Sequence, residues 1–138
     1  MTLGIRTISN LVLAAGLRKT MIVGTRVPTF ERHGIFRHSL ASAICCARLG
    51  RRLKFLREHR ESLFIAGLLH DVGRVVLASF YVERAEEIDR VAGPRLGPQR
   101  ERELLGVDHM EAGRMVQKFW DLPSELETVI SRHHDDPE

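Results

Sequence analysis

His70 and Asp71 stand side by side in the stretch FIAGLLHDVGRVVLASF (64–80), and Arg74 follows three residues later. An imidazole nitrogen and a carboxylate oxygen at one helix end form a donor set that suits Zn, Fe, Mn or Ni, and suits Ca poorly. Asp71 has a second oxygen with which to bridge a pair of ions. The flanks on both sides are apolar. Charged groups are seldom buried without a partner or a metal, so these residues either meet solvent in a cleft or serve a site.

Seven histidines are present: His33, His38, His59, His70, His109, His133 and His134. Position sorts them. His38 is expected to open a helix, His70 with Asp71 to close one, His109 to open one, and His133 with His134 to close one. Helix ends in a bundle can converge on one rim, which would bring imidazoles from four helices together. His59, between Glu58 and Arg60, and His33 fit no such pattern and read as solvated.

The elements that must carry these residues all read as helical. TISNLVLAAG aligns Ile8, Leu11, Val12 and Ala15 and stops at Gly16, and a short helix over 17–23 follows. GTRVPTFERHG reads as a loop. HSLASAICCARLGRRL places Leu40, Ala43, Ile44 and Ala47 at helical spacing. ESLFIAGLLHD is the next helix, Gly73 a break, and 74–80 another helix. YVERAEEIDRVAG is amphipathic and closes at Gly93, and PRLGP is a turn. Asp108 with Glu111 matches a capping pattern that opens a helix from His109 to about Phe119. Pro123 suits the first turn of a last helix from Leu122 to about His134. No alternating run of strand length competes, so the expected fold class is all-α, a compact helical bundle.

The bulk properties narrow the function. At 138 residues the chain can hold one hydrophobic core, and 21 basic against 18 acidic residues give a net charge of only +3. The tightest basic run, Arg51, Arg52, Lys54, Arg57 and Arg60, reads as a solvated face. A pI of about 9.3 alone is a thin motive for nucleic-acid binding, which is not expected. No apolar run reaches the ~18 residues of a membrane span, so no membrane partner is expected. LVLAAGL near the N-terminus reads as a core helix, not a signal peptide. Cys45 and Cys46, adjacent on a helix, cannot build a disulfide framework. They read as buried thiols in a reducing, cytoplasmic compartment. Trp120 reads as a core anchor, Met110 and Met115 as gap-fillers, and Gly67 and Gly113 as sites of close helix packing. Arg114 and Lys118 read as solvated.

GLLHDVG, preceded by a helix that starts with His38, resembles the HD superfamily of metal-dependent phosphohydrolases. FRHSLASA, SLFIAGLLHDVGRVVL, LLGVDHMEAGRMVQKFWDLP and VISRHH, in that order, more closely resemble the HDOD family, HD-related output domains of bacterial signalling proteins. The resemblance covers about residues 5–134. It implies an HD-type helical bundle with N-terminal helices and a loop over 1–37. It places an HD/HDOD core over 38–138, truncated or minimal at both ends. It also implies a metal set of His38, His70, Asp71, His109, His133 and His134. The related HD-GYP enzymes use such a set with two or three metals to hydrolyse cyclic di-GMP, in which case Asp71 and Arg74 would be catalytic.

Three departures from the hydrolase pattern weigh against turnover. No Gly-Tyr-Pro follows His133–His134. No downstream helix supplies a last aspartate. Arg74 stands where HD-GYP enzymes have lysine, and a guanidinium clamps phosphate but does not release a proton at neutral pH. The expectation is a regulatory domain that binds a signalling partner or a small nucleotide, with a divalent Fe, Mn, Zn or Ni ion in its cleft. The alternative is a metal-dependent phosphohydrolase, an HD-GYP-like phosphodiesterase acting on a cyclic dinucleotide or a nucleotide.

Overall fold

The computed structural model describes Gly16, residues 29–80 and residues 97–135, with the backbone alone described at 29–33, 57–61 and 80. The expected helices over 8–23 (Gly16 apart) and over 81–93 lie outside the described residues, as do the side chains of His33 and His59. The described elements are all helical, in two compact units that divide between Leu69 and His70. Residues 37 and 38, where the sequence divides the N-terminal part from the core, are consecutive within the helix Thr29–Arg52.

The first unit contains α1 (Thr29–Arg52) and α2 (Arg57–Leu69). Helix α1 starts well before His38, because Pro28 directly precedes it as a start signal and Gly34 is absorbed within it. His38 is thus a mid-helix residue. Helix α1 ends where the Phe55 amide donates to the Gly50 carbonyl (2.9 Å) and the Lys54 amide to that of Arg51 (3.1 Å). Lys54 takes a left-handed conformation with φ 57°, which completes this paired terminal motif.

Small residues set the approach of the two helices. Ser39, Ala43 and Gly50 are buried, and a Cβ added to Gly67 would come within 2.8 Å of the Ala43 backbone. The close-packing role expected of Gly67 is what the structure has. With the buried stripe on 39, 43 and 50, steps of about 100° per residue carry Ile44 and Cys45 away from it. Cys45 is exposed and Cys46 half-buried, both as free thiols, so the expected burial of this pair is corrected.

The second unit contains α3 (Val72–Phe80), α4 (Pro98–Leu105) and α5 (His109–Phe119), then a 3-10 turn (Ser124–Leu126) and α6 (Glu127–Arg132). Val72, Leu77, Met110, Ala112, Leu126 and Ile130 are its buried apolar residues. The turn before α3 falls at His70–Asp71, so Gly73 lies within the first helical turn and is not the expected break. Asp108, extended at φ −104° and ψ 171°, accepts the Glu111 amide (2.8 Å) and opens α5 where the capping pattern puts it.

The FWDLP segment stops α5 and redirects the chain into the 3-10 turn. The Leu122 amide donates to the Gln117 carbonyl (3.0 Å), and Asp121 turns left-handed at φ 49°. The Gln117 side-chain amide holds the Pro123 carbonyl at 3.1 Å. The expected single last helix is split into the 3-10 turn and α6, and His133 and His134 lie in the turn beyond it. Trp120, placed after the last turn of α5, remains 43% exposed and is no core anchor. Met110 is buried as expected, whereas Met115 faces outward. Ser62–Ser79 reaches the length and mean hydropathy of a membrane span (18 residues, 1.4), correcting the expectation that no run does. That window is broken by the His70–Asp71 turn and contains Arg74.

Candidate metal centre

The second unit gathers four of the expected ligands from three places in the chain. Asp71 directly precedes α3, His109 is the first residue of α5, and His133 and His134 follow α6. One donor atom from each of the four lies within 4.8 Å of the others. Asp71 and His109 are buried, His133 is half-buried and His134 exposed.

The closest three donors form a small triangle. Asp71 Oδ1 is 3.5 Å from His109 Nε2 and 3.4 Å from His133 Nε2, and the two Nε2 atoms are 3.2 Å apart. Metal–ligand bonds of about 2.0–2.2 Å place tetrahedral donors about 3.3–3.6 Å from one another. The triangle has that scale, and two imidazoles with a carboxylate are a chemically apt set for Zn, Fe or Mn. The ring of His134 packs on both His109 and His133, with centroids 5.0 Å and 4.5 Å away. His133 is oriented from one helical turn back, its Nδ1–H donating to the Val129 carbonyl at 2.9 Å.

His70 stands beside this triangle. Its Nε2 is 3.5 Å from Oδ2 of Asp71, the other carboxylate oxygen, and its ring meets His133 edge-on at 5.1 Å. His38 belongs to the first unit, exposed on α1.

Arg74 ties two carboxylates together. Its Nε donates to Asp71 Oδ1 (3.1 Å) and its Nη1 pairs with Glu101 Oε1 (3.2 Å). The other oxygen of Glu101 accepts the His109 amide at 2.8 Å and lies 2.5 Å from His109 Nδ1. Glu101, the one buried residue of α4, is absent from the set read off the sequence. Half of its helix is charged, and the helix shows no apolar periodicity. The available signal is Pro98 just inside its start and Gly106 just past its end, the latter left-handed at φ 78°.

The field at the cluster favours the Asp71 carboxylate. Burial alone would raise its pKa. The facing His133 ring, with the charges of Arg74, His70 and His109, outweighs burial and holds the group well below the usual carboxylate range. His134 is shifted down from 6.5, first by partial burial and then by His133, His109 and Arg74.

Comparison with known proteins agrees with this architecture. The HDOD domain model matches residues 1–136. Over 76 residues the chain is 32% identical to an uncharacterized protein of Treponema pallidum (strain Nichols). That match takes in 54% of this chain and 15% of the relative. The crystal structure of an HDOD domain protein with unknown function from Geobacter sulfurreducens superposes with a TM-score of 0.79 at 25% identity. It covers 97% of this chain and 44% of that one, so the chain spans less than half the length of either relative. With nearly all of its length matched by the family model and its helices matched in space, the chain belongs to the HDOD domain family.

Proposed function

We propose that this chain is a regulatory domain of a bacterial signalling protein, acting in the cytoplasm by binding a protein partner or a small nucleotide. Its His/Asp cluster would hold a single divalent ion in a structural or sensing role. Asp71, His109 and His133 would ligate it, with His134 at hand as a further donor. The ion would cross-link the starts of α3 and α5 to the end of α6.

The observation that carries this reading is the Arg74 guanidinium seated on Asp71 Oδ1, the oxygen that also faces both Nε2 atoms. Hydrolysis by a metal pair needs a carboxylate free to be shared between two ions. The guanidinium already offsets part of the negative charge of Asp71, so the cluster has less charge with which to hold two ions than one. It leaves a site suited to one ion and to binding, not turnover.

The test is elemental analysis of untagged protein beside His109→Ala and His70→Ala. About one equivalent of Zn, Fe, Mn or Ni, lost in His109→Ala and retained in His70→Ala, is the expected result. A parallel screen of cyclic dinucleotides and nucleotides with Mn and Fe should show no turnover. Hydrolysis that disappears in Asp71→Ala would replace this reading with the phosphodiesterase one.

A further inference from the structure

We infer that Glu101 is a positioning residue that fixes the tautomer of His109. Its Oε2 holds the proton on Nδ1, so the Nε2 lone pair of His109 is aimed at His133 and Asp71. The inference deepens the single-ion reading of this site and rests on it only where metal affinity is the readout.

The proton inventory of this buried pair decides the tautomer. Side-chain exposure is 0% for His109 and 5% for Glu101, so the protein supplies the partners of both groups. An ionised carboxylate accepts and does not donate. Oε2 lies 2.5 Å from His109 Nδ1 and also takes the His109 main-chain N–H at 2.8 Å. Two donors of one residue thus converge on a single oxygen, which locks both the ring rotation and the proton position. Nε2 is left as the lone-pair nitrogen.

His133 reaches the same state by separate means. Its Nδ1–H is held by the Val129 carbonyl, so its Nε2 also presents a lone pair. The two Nε2 atoms face each other at 3.2 Å with Asp71 Oδ1 beside them. Three acceptors so close, with neither imidazole placing a proton between them when both are neutral, attract a cation beside the Arg74 guanidinium already on Asp71. A carboxylate bonded to the far ring nitrogen of a ligating histidine is a recurrent means of setting its tautomer and raising its basicity.

The remaining oxygen of Glu101 acts on Arg74. By drawing Nη1 towards itself at 3.2 Å, it divides the guanidinium fork between two carboxylates, with Nε on Asp71 at 3.1 Å. A fork closed in bidentate fashion on Asp71 would be a stronger pairing and a stronger competitor for any ion. Glu101 therefore orients one candidate ligand and restrains the main competitor at another.

The histidine ring nitrogens of chelator-treated, ¹⁵N-labelled protein, read by NMR at a pH where imidazole is neutral, test this directly. Wild-type His109 should appear as the Nδ1–H tautomer, and so should His133. In Glu101→Ala, His109 should become a mixture or the Nε2–H form, while His133 stays unchanged as an internal control. Zn affinity should fall about 10–100-fold in Glu101→Ala, with partial recovery in Glu101→Asp. His109 found as Nε2–H in the wild type, or still Nδ1–H in Glu101→Ala, would overturn the inference. Should Glu101→Ala fail to fold, the wild-type spectrum still decides the tautomer. Glu101→Gln then tests the charge, and unchanged Zn affinity in it counts against the inference. Wild-type protein with His109 as Nδ1–H but no bound metal would end the single-ion reading and leave the positioning role standing. Bound metal with His109 as Nε2–H would do the reverse.

Discussion

A Cβ built on Gly73 would lie 1.8 Å from the carbonyl oxygen of His109 and 2.6 Å from the amide nitrogen of Gly113. The first turn of α3 thus touches α5 backbone to backbone. This contact brings Asp71, two residues before Gly73, beside His109. Gly73→Ala must part the helices, because main-chain atoms cannot swing aside. We expect a stability loss of about 3 kcal/mol or more, read from denaturant unfolding. Gly113→Ala should cost clearly less. Its added methyl would meet the Ile130 Cγ2 methyl at 2.7 Å, a side-chain atom that can give by a small shift where main-chain atoms cannot, although Ile130 is fully buried. Equal costs would mean that the α3–α5 contact is softer than the structure has it.

Arg74 balances two buried carboxylates, Asp71 and Glu101. Replacing it with methionine leaves both anions without their guanidinium. Breaking a buried pair in this way typically costs about 3–5 kcal/mol. The same change removes a cation from Asp71 Oδ1, so the site should hold a divalent ion more tightly. Added Zn or Mn should therefore raise the unfolding temperature by more in Arg74→Met than in the wild type. A smaller rise in the variant would show that Arg74 assists the ion and does not compete with it.

The shifts at Asp71 and His134 give the stability a pH dependence of one sign. The folded-state pKa of Asp71 lies below its ordinary 3.8, so its contribution is complete above that value and is lost as pH falls from there towards the folded-state value. His134 is shifted down from 6.5, so the unfolded chain takes up a proton that the folded chain resists. Its effect is a loss of stability as pH falls below 6.5. Both make stability rise with pH. Thermal unfolding in steps from pH 8 to 3 should show a shallow decline below 6.5 that weakens in His134→Gln. The steeper decline below 3.8 should weaken in Asp71→Asn. Parallel curves for wild type and both variants would contradict these assignments.

The fold class and most of the cluster are legible in the sequence because their signals are local. Asp108 and Glu111 mark the start of α5 to the residue, and the adjacent His70–Asp71 and His133–His134 pairs are visible by eye. Glu101 is not legible, because its partner lies eight positions away beyond the turn at Gly106, and nothing in PQRERELL signals which charge turns inward. Gly73 misleads for a related reason. Glycine marks both a helix break and a helix–helix contact, and only the position of α5 distinguishes them. The start of α1 is ambiguous in the sequence because Pro28 can end a loop or open a helix, and the residues after it decide.

Asp108 offers a separable test of how His109 is anchored. Its buried carboxylate caps α5 through the Glu111 amide and also meets the Arg102 guanidinium, which is largely exposed. An exposed ion-pair partner is screened and contributes little, whereas a lost N-cap typically costs about 1 kcal/mol and up to ~2. Asp108→Asn keeps an oxygen for the Glu111 amide and gives up the charge, so it should cost only a few tenths of a kcal/mol. Asp108→Ala loses the cap itself and should lower both stability and Zn affinity, because His109 is the first residue of the helix that frays. Comparable losses in the two variants would assign the anchoring to the Arg102 pair. The geometry points to the cap, since the hydrogen bond to Glu111 closes the same first turn that holds His109 against Glu101.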